Sequence, residues 1–156
     1  MDLRDAERLA RSMMDDHGLH TWRFAWDDAT MRFGCCHHTY RKITLSRTLV
    51  PLNTPERVEQ TILHEIAHAL AGHDAGHGPE WQRLAKSLGH SGERCHNASN
   101  TTLAPYVWEG VCAYCGPVSK KKSGQTRNGL ACKKCCDTKN GGKYDVSYKL
   151  TWREIR

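Results

Sequence analysis

Thr54-Pro55-Glu56-Arg57-Val58-Glu59-Gln60-Thr61-Ile62-Leu63-His64-Glu65-Ile66-Ala67-His68-Ala69-Leu70-Ala71-Gly72 reads as one buried helix with a marked beginning and end. Thr54 is suited to the N-cap, Pro55 to the first helical position, and Glu56 to the first turn, where the helix dipole favours an acid. Val58, Ile62, Ile66 and Ala69 form an apolar stripe, Leu63, Ala67 and Leu70 widen it, and Gly72 supplies the stop. Within this apolar surface lie His64, Glu65 and His68. Two histidines at i and i+4 project from one helix face and can share a zinc ion, and a carboxylate beside them can take a proton from a water held by that ion. Buried polar groups need partners. Two readings therefore stand: a metal site, or a hydrogen-bonded structural histidine pair.

Upstream, Leu3, Ala6, Leu9, Ala10 and Met13 recur at helical spacing before Gly18, which predicts an amphipathic helix over 2–17. Trp22, Phe24 and Trp26 alternate with polar or small residues as in a half-buried strand ending at Asp27-Asp28. Met31 and Phe33 suggest a second strand, Ile43 and Leu45 a third, and Gly34 allows a bulge or a close backbone approach between them. A small, mainly antiparallel sheet is the simplest product. The edge of the Ile43–Ser46 strand is then the expected seat for an extended substrate peptide. Downstream, Pro79 opens a short helix with Trp81, Leu84, Ala85 and Leu88 on one face, and residues 89–105 read as a linker. The fold class is α+β, with no internal repeat.

A catalytic zinc takes three protein ligands and keeps a fourth position open. The spacing of the metzincin class places its third histidine at position 74, which is Asp74, and its methionine turn is excluded because every methionine lies at or before Met31. His77, at the entrance of the next helix in His77-Gly78-Pro79-Glu80-Trp81, is the favoured third ligand, with His73 and Glu80 as the alternatives.

The last third of the chain has a different character. Residues 1–109 carry a net charge of −2 and residues 110–156 a net charge of +8. Cys112-Ala113-Tyr114-Cys115 and Cys132-Lys133-Lys134-Cys135 are two CxxC pairs, a spacing that predicts a closed, structural zinc site with four cysteine ligands, with Cys136 as the alternative to Cys135. Lys120, Lys121, Lys122, Arg127, Lys133 and Lys134 fall in a stretch without acidic residues, as a polyanion partner requires. Tyr106, Trp108, Tyr114, Tyr144, Tyr148 and Trp152 offer faces for stacking on unpaired bases, although the alternation over Tyr144–Leu150 fits a strand better. Cys35, Cys36 and Cys95, accompanied by His37, His38 and His96, match no metal-site spacing. The opening residues carry no secretory signal and no stretch is apolar enough to span a membrane, so the paired cysteines are expected in a reducing, intracellular setting.

The segment HEIAHALAGHDAGHGPEW, together with the Trp22 strand, Phe33-Gly34, Lys42-Ile43-Thr44-Leu45-Ser46 and the paired cysteines, resembles the SprT-like metalloprotease family. The resemblance implies a small zincin-like protease domain over 1–105 and a basic zinc ribbon over 106–156. It further implies one catalytic zinc held by His64, His68 and His77 with Glu65 as catalytic base, and a second, structural zinc. The implied activity is hydrolysis of proteins bound or crosslinked to DNA by a cytoplasmic or nucleoid-associated monomer, with DNA, single-stranded DNA included, switching it on. Two other readings fit the residues: a non-catalytic zinc-ribbon protein that binds nucleic acid, and an intracellular zinc peptidase acting on one regulatory protein.

Overall fold

A computed structural model describes residues 1–92, 102–121 and 129–155, so Cys95, His96, Lys122 and Arg127 lie outside the described residues. The chain divides into two compact units, Met1–Ala104 and Pro105–Arg156.

In the first unit, α1 (Leu3–Asp16) begins where the Asp2 carboxylate accepts the Arg4 N–H at 2.8 Å, and it buries Ala6, Ala10 and Met14. Three short strands follow, β1 (Arg23–Asp27), β2 (Gly34–His37) and β3 (Lys42–Ser46). Then come α2 (Pro55–Ala71) and α3 (Pro79–Ser87). The α2 boundaries are those its local chemistry dictates: the Thr54 hydroxyl accepts the Arg57 N–H at 3.3 Å, and Gly72 ends the helix at φ 88°, a conformation natural to glycine. Along α2, Val58, Ile62 and Ile66 are fully buried against Phe24, Ile43, Leu45, Leu49 and Val50, while Leu70 is exposed.

The sheet corrects three expectations. Its order is β1-β3-β2, with β1 parallel and β2 antiparallel to β3, so it is mixed rather than mainly antiparallel. Met31 is 67% exposed and Phe33 buried, and the second strand starts only at Gly34. β3 is the central strand, paired on both sides, and has no edge to offer a substrate; the edges belong to β1 and β2. β3 is also buried on both faces. Ile43 and Leu45 enter the core, while Thr44 Oγ1 donates to Asp27 Oδ2 at 2.8 Å and Ser46 Oγ donates to the Ala29 carbonyl at 2.6 Å. These polar partners allow an alternating sequence to sit at the centre of a sheet.

In the second unit, β4 (Trp108–Cys112), β5 (Gly116–Lys121) and β6 (Thr151–Glu154) form an antiparallel sheet of order β5-β4-β6, with α4 (Lys133–Lys139) between β5 and β6 in sequence. Buried Glu109 and its cross-strand partner Arg153 form an ion pair at 2.6 Å. The strand expected over Tyr144–Leu150 is instead a 3-10 turn at Val146–Tyr148, because Asp145 caps it by accepting the Ser147 N–H at 2.8 Å. β6 begins at Thr151. No helix among the described residues is long and apolar enough to cross a membrane.

Candidate metal centres

One turn of α2 separates His64 from His68, and the turn after Gly72 returns the chain so that His77 faces both. Their Nε2 atoms converge at 3.2 Å (His64–His68), 3.0 Å (His68–His77) and 3.1 Å (His77–His64). A tetrahedral zinc with Zn–N bonds of 2.0–2.1 Å sets its nitrogens about 3.3 Å apart. Three neutral imidazole nitrogens pressed this close have lone pairs in excess of N–H donors, and one shared cation satisfies all three. These three residues can hold a metal ion. The alternative third ligands lie elsewhere. His73 is exposed, with Nδ1 2.9 Å from Asp74, and Glu80 is paired with Arg83 on the surface.

Glu65 is buried beside the triad, and burial raises its carboxyl to about 8, an effect that the Cys36 backbone N–H and the nearby Arg32 partly oppose. The neutral acid is thus favoured until a positive charge arrives. A Cβ at position 34 would stand 2.9 Å from Glu65 Cγ and Oε1 and 3.0 Å from Thr61 Cγ2, so only glycine lets β2 approach α2 this closely. His68 is pushed down to about 4, first by burial and then by the neighbouring imidazoles of His77, His38 and His90, so it is an unprotonated imidazole near neutral pH, as ligation requires. Gly34, Cys35, Cys36, His38, His64, Glu65, His68, His73 and Gly76 line an open cleft of about 410 Å³ over this group.

Two supporting side chains escaped the sequence reading. Trp81 is fully buried with its ring edge-on or tilted to His64, His68 and His77 at 4.8, 5.4 and 4.6 Å, so the apolar face of α3 (Pro79–Ser87) also walls in the imidazoles. Its position four residues after His77 was a usable signal. His90, buried and 5.3 Å from His64, accepts the Gly92 N–H at Nδ1, although its surroundings in sequence look like linker.

In the second unit, the sulfurs of Cys112, Cys115, Cys132 and Cys135 lie within 4.8 Å of one another and can hold a metal ion; Cys136 is not among them. Cys135 Sγ stands 3.7 Å from Cys112 Sγ, near the roughly 3.8 Å between sulfurs of a tetrahedral zinc–thiolate site, and 3.1 Å from Cys115 Sγ, closer than that spacing. The Tyr114 and Cys115 backbone N–H groups point at Cys112 and lower its thiol to about 7, which favours the thiolate that binds metal. All four are free cysteines, and with Leu150 three of them form the small core of this unit.

The profile of the SprT-like family matches residues 4–102. The chain belongs to the SprT-like family. It is 36% identical over 87 residues to the germ cell nuclear acidic-1 protein of Caenorhabditis elegans, an alignment covering 48% of this chain and 16% of the nematode protein. With Protein SprT of Pseudomonas fluorescens it shares 27% identity over 116 residues, covering 67% of this chain and 71% of the bacterial one. The family match includes the whole histidine centre and stops short of the cysteine cluster.

Of the residues singled out for nucleic acid, Lys120 and Lys121 lie on β5 (Gly116–Lys121), and Lys133 and Lys134 open α4 (Lys133–Lys139), where both are exposed and line a groove with Val118, Leu130 and Thr138. Lys121 Nζ caps the Trp152 ring at 4.0 Å and Lys139 Nζ lies 4.9 Å from the centre of the Tyr114 ring. Tyr106, Tyr114 and Tyr144 are exposed.

Proposed function

We propose that this chain is a zinc-dependent endopeptidase of zincin-like architecture, with His64, His68 and His77 holding the catalytic ion and Glu65 acting as general base. The observation that carries this reading is the convergence of three Nε2 atoms within 3.2 Å beside a buried carboxyl. A zinc ion bound there would supply Lewis acidity, activating water and polarising the scissile carbonyl. Glu65 takes the proton of the attacking water and returns it to the departing amide nitrogen, its base form being the carboxylate that a neighbouring cation favours. The Cys36 N–H and the missing Cβ of Gly34 fix where that carboxylate stands. β2 (Gly34–His37), an edge strand carrying cleft residues, replaces β3 as the seat for an extended substrate.

The four-cysteine cluster holds a second, structural zinc in this reading, organising a ribbon whose exposed Lys120, Lys133 and Lys134 meet DNA phosphates, with single-stranded DNA stacking on its exposed tyrosines. Substrates are proteins associated with or crosslinked to DNA, and the working form is a monomer inside the cell. Cleavage of a DNA-binding protein by the zinc-loaded chain, with and without DNA, tests the proposal against a Glu65→Gln control. Equal cleavage by the control refutes the assigned base, and indifference to DNA removes the nucleic-acid part.

A further inference from the structure

Four metal-competent side chains in the cleft are idle in the proposed reaction: Cys35, Cys36, His38 and His73. Strand periodicity sets Gly34 and Cys36 of β2 (Gly34–His37) toward one side, where Gly34 meets Glu65, and His38 follows in the turn just after the strand. Cys36 Sγ and His38 Nε2 stand 3.6 Å apart. Bonds of 2.3 Å to sulfur and 2.0–2.1 Å to nitrogen give a tetrahedral zinc an S···N separation of about 3.6 Å, so the pair already has the bite of a chelate. Trp22, edge-on to His38 at 5.7 Å, holds that ring in place. On its other side His38 meets His73 at 5.6 Å. The His73 Nδ1 contact with Asp74 leaves Nε2 as the ligand nitrogen, the carboxylate–imidazole arrangement that orients metal-binding histidines.

We propose that Cys36, His38 and His73 form a further metal site on the cleft wall, separate from the histidine triad and the four-cysteine cluster. Cys36 and His38 are its chelating pair. His73 is the closing arm: its ring stands 5.6 Å from that of His38, farther than the 4.6 to 5.0 Å between rings of the triad, so it must move inward to ligate. One thiolate and two imidazoles suit a borderline-soft ion of the zinc class and disfavour magnesium or calcium. Binding exchanges the Cys36 thiol proton for the ion, the proton leaving to solvent. An ion held there occupies the same cleft as Glu65 and obstructs a substrate along β2 (Gly34–His37), so excess zinc inhibits; this consequence, unlike the site itself, rests on the peptidase reading.

The test is a zinc titration of the metal-free full chain against a chromophoric chelator. Cys36→Ser and His38→Ala each bind one equivalent fewer than the parent, and His73→Ala weakens that equivalent about tenfold or more. Glu65→Gln keeps the parent's count, so the site can be scored whether or not the chain cleaves anything. An unchanged count in both Cys36→Ser and His38→Ala overturns the proposal and leaves the 3.6 Å contact as a thiol–imidazole hydrogen bond. If the parent cleaves protein, excess zinc suppresses it and spares His38→Ala; equal suppression of both overturns the inhibitory role.

Discussion

Gly34→Ala adds one methyl group at the point where β2 (Gly34–His37) and α2 (Pro55–Ala71) nearly touch. The new carbon would lie 2.9 Å from Glu65 Cγ and Oε1, about 0.5 Å inside an ordinary contact range that begins at 3.4 Å, and 3.0 Å from Thr61 Cγ2. Both neighbours are rooted on the same helix, and Cγ is not the free end of its side chain, so the helix cannot yield at one point alone. Gly34 is outside the left-handed region, so the backbone accepts alanine and the cost is steric. Overpacking of this kind costs about 1–3 kcal/mol, and each kcal/mol lowers the melting temperature of a domain near this size by roughly 4–8 °C. The carboxylate, displaced from the Cys36 N–H, loses its place beside the triad, and a misplacement of about 1 Å costs on the order of 100-fold in rate. Thermal unfolding, kcat/KM on a protein substrate and zinc content should therefore separate: lower stability, much lower activity, unchanged metal. Parental stability and activity would refute the steric argument. Loss of zinc together with activity would refute the claim that the methyl acts on the carboxylate.

Glu65 makes the metal-free protein sensitive to pH. Its folded value, near 8, is above the ordinary 4.5, so its stabilising contribution is complete below about 4.5 and disappears as pH rises through about 8. Urea midpoints of the metal-free parent should fall across that window relative to Glu65→Gln, and parallel curves would show that the carboxyl is not buried as described. His77→Ala should lose one zinc by elemental analysis and Cys132→Ser a different one, with chelation unfolding the second unit, whose core consists mostly of ligand sulfurs. A single zinc lost by both variants would merge the two centres and contradict their separation. Lys133→Glu with Lys134→Glu should weaken DNA binding and make it less salt-dependent while leaving zinc content unchanged; binding equal to the parent removes α4 (Lys133–Lys139) from the nucleic-acid surface.

The legible parts of the chain were those whose causes are local. Thr54, Pro55 and Gly72 act within a turn of themselves, and they placed α2 (Pro55–Ala71) to the residue. His77 stands at the entrance of the helix opened by Pro79, after a glycine-bearing segment, Gly72–Gly76, able to reverse the chain, which is why His77 was favoured over His73. Strand pairing is non-local: alternation in Trp22–Trp26 and Ile43–Leu45 shows that strands exist, but the parallel pairing of β1 with β3 depends on Thr44 and Ser46 finding partners at Asp27 and Ala29. Gly34 was readable as a close approach, yet its partner Glu65 lies 31 positions away by number and has no local signature. The run Tyr144–Leu150 had the right alternation for a strand, and one Asp145 cap overrode it. His90 was hidden because a histidine in a polar stretch gives no local sign that it will be buried beside His64.

His64 and His68 are locked to each other by a helical hydrogen-bond ladder, whereas His77 is delivered by a short turn containing Gly72 at φ 88° and Gly76 at φ 50°. The freedom of those glycines in the unfolded chain is lost whenever the third imidazole is brought home. Affinity for an ion at this triad would therefore be set partly by loop-closure entropy in residues that never touch it. Stiffening or lengthening the turn would retune the centre while every ligand stayed the same.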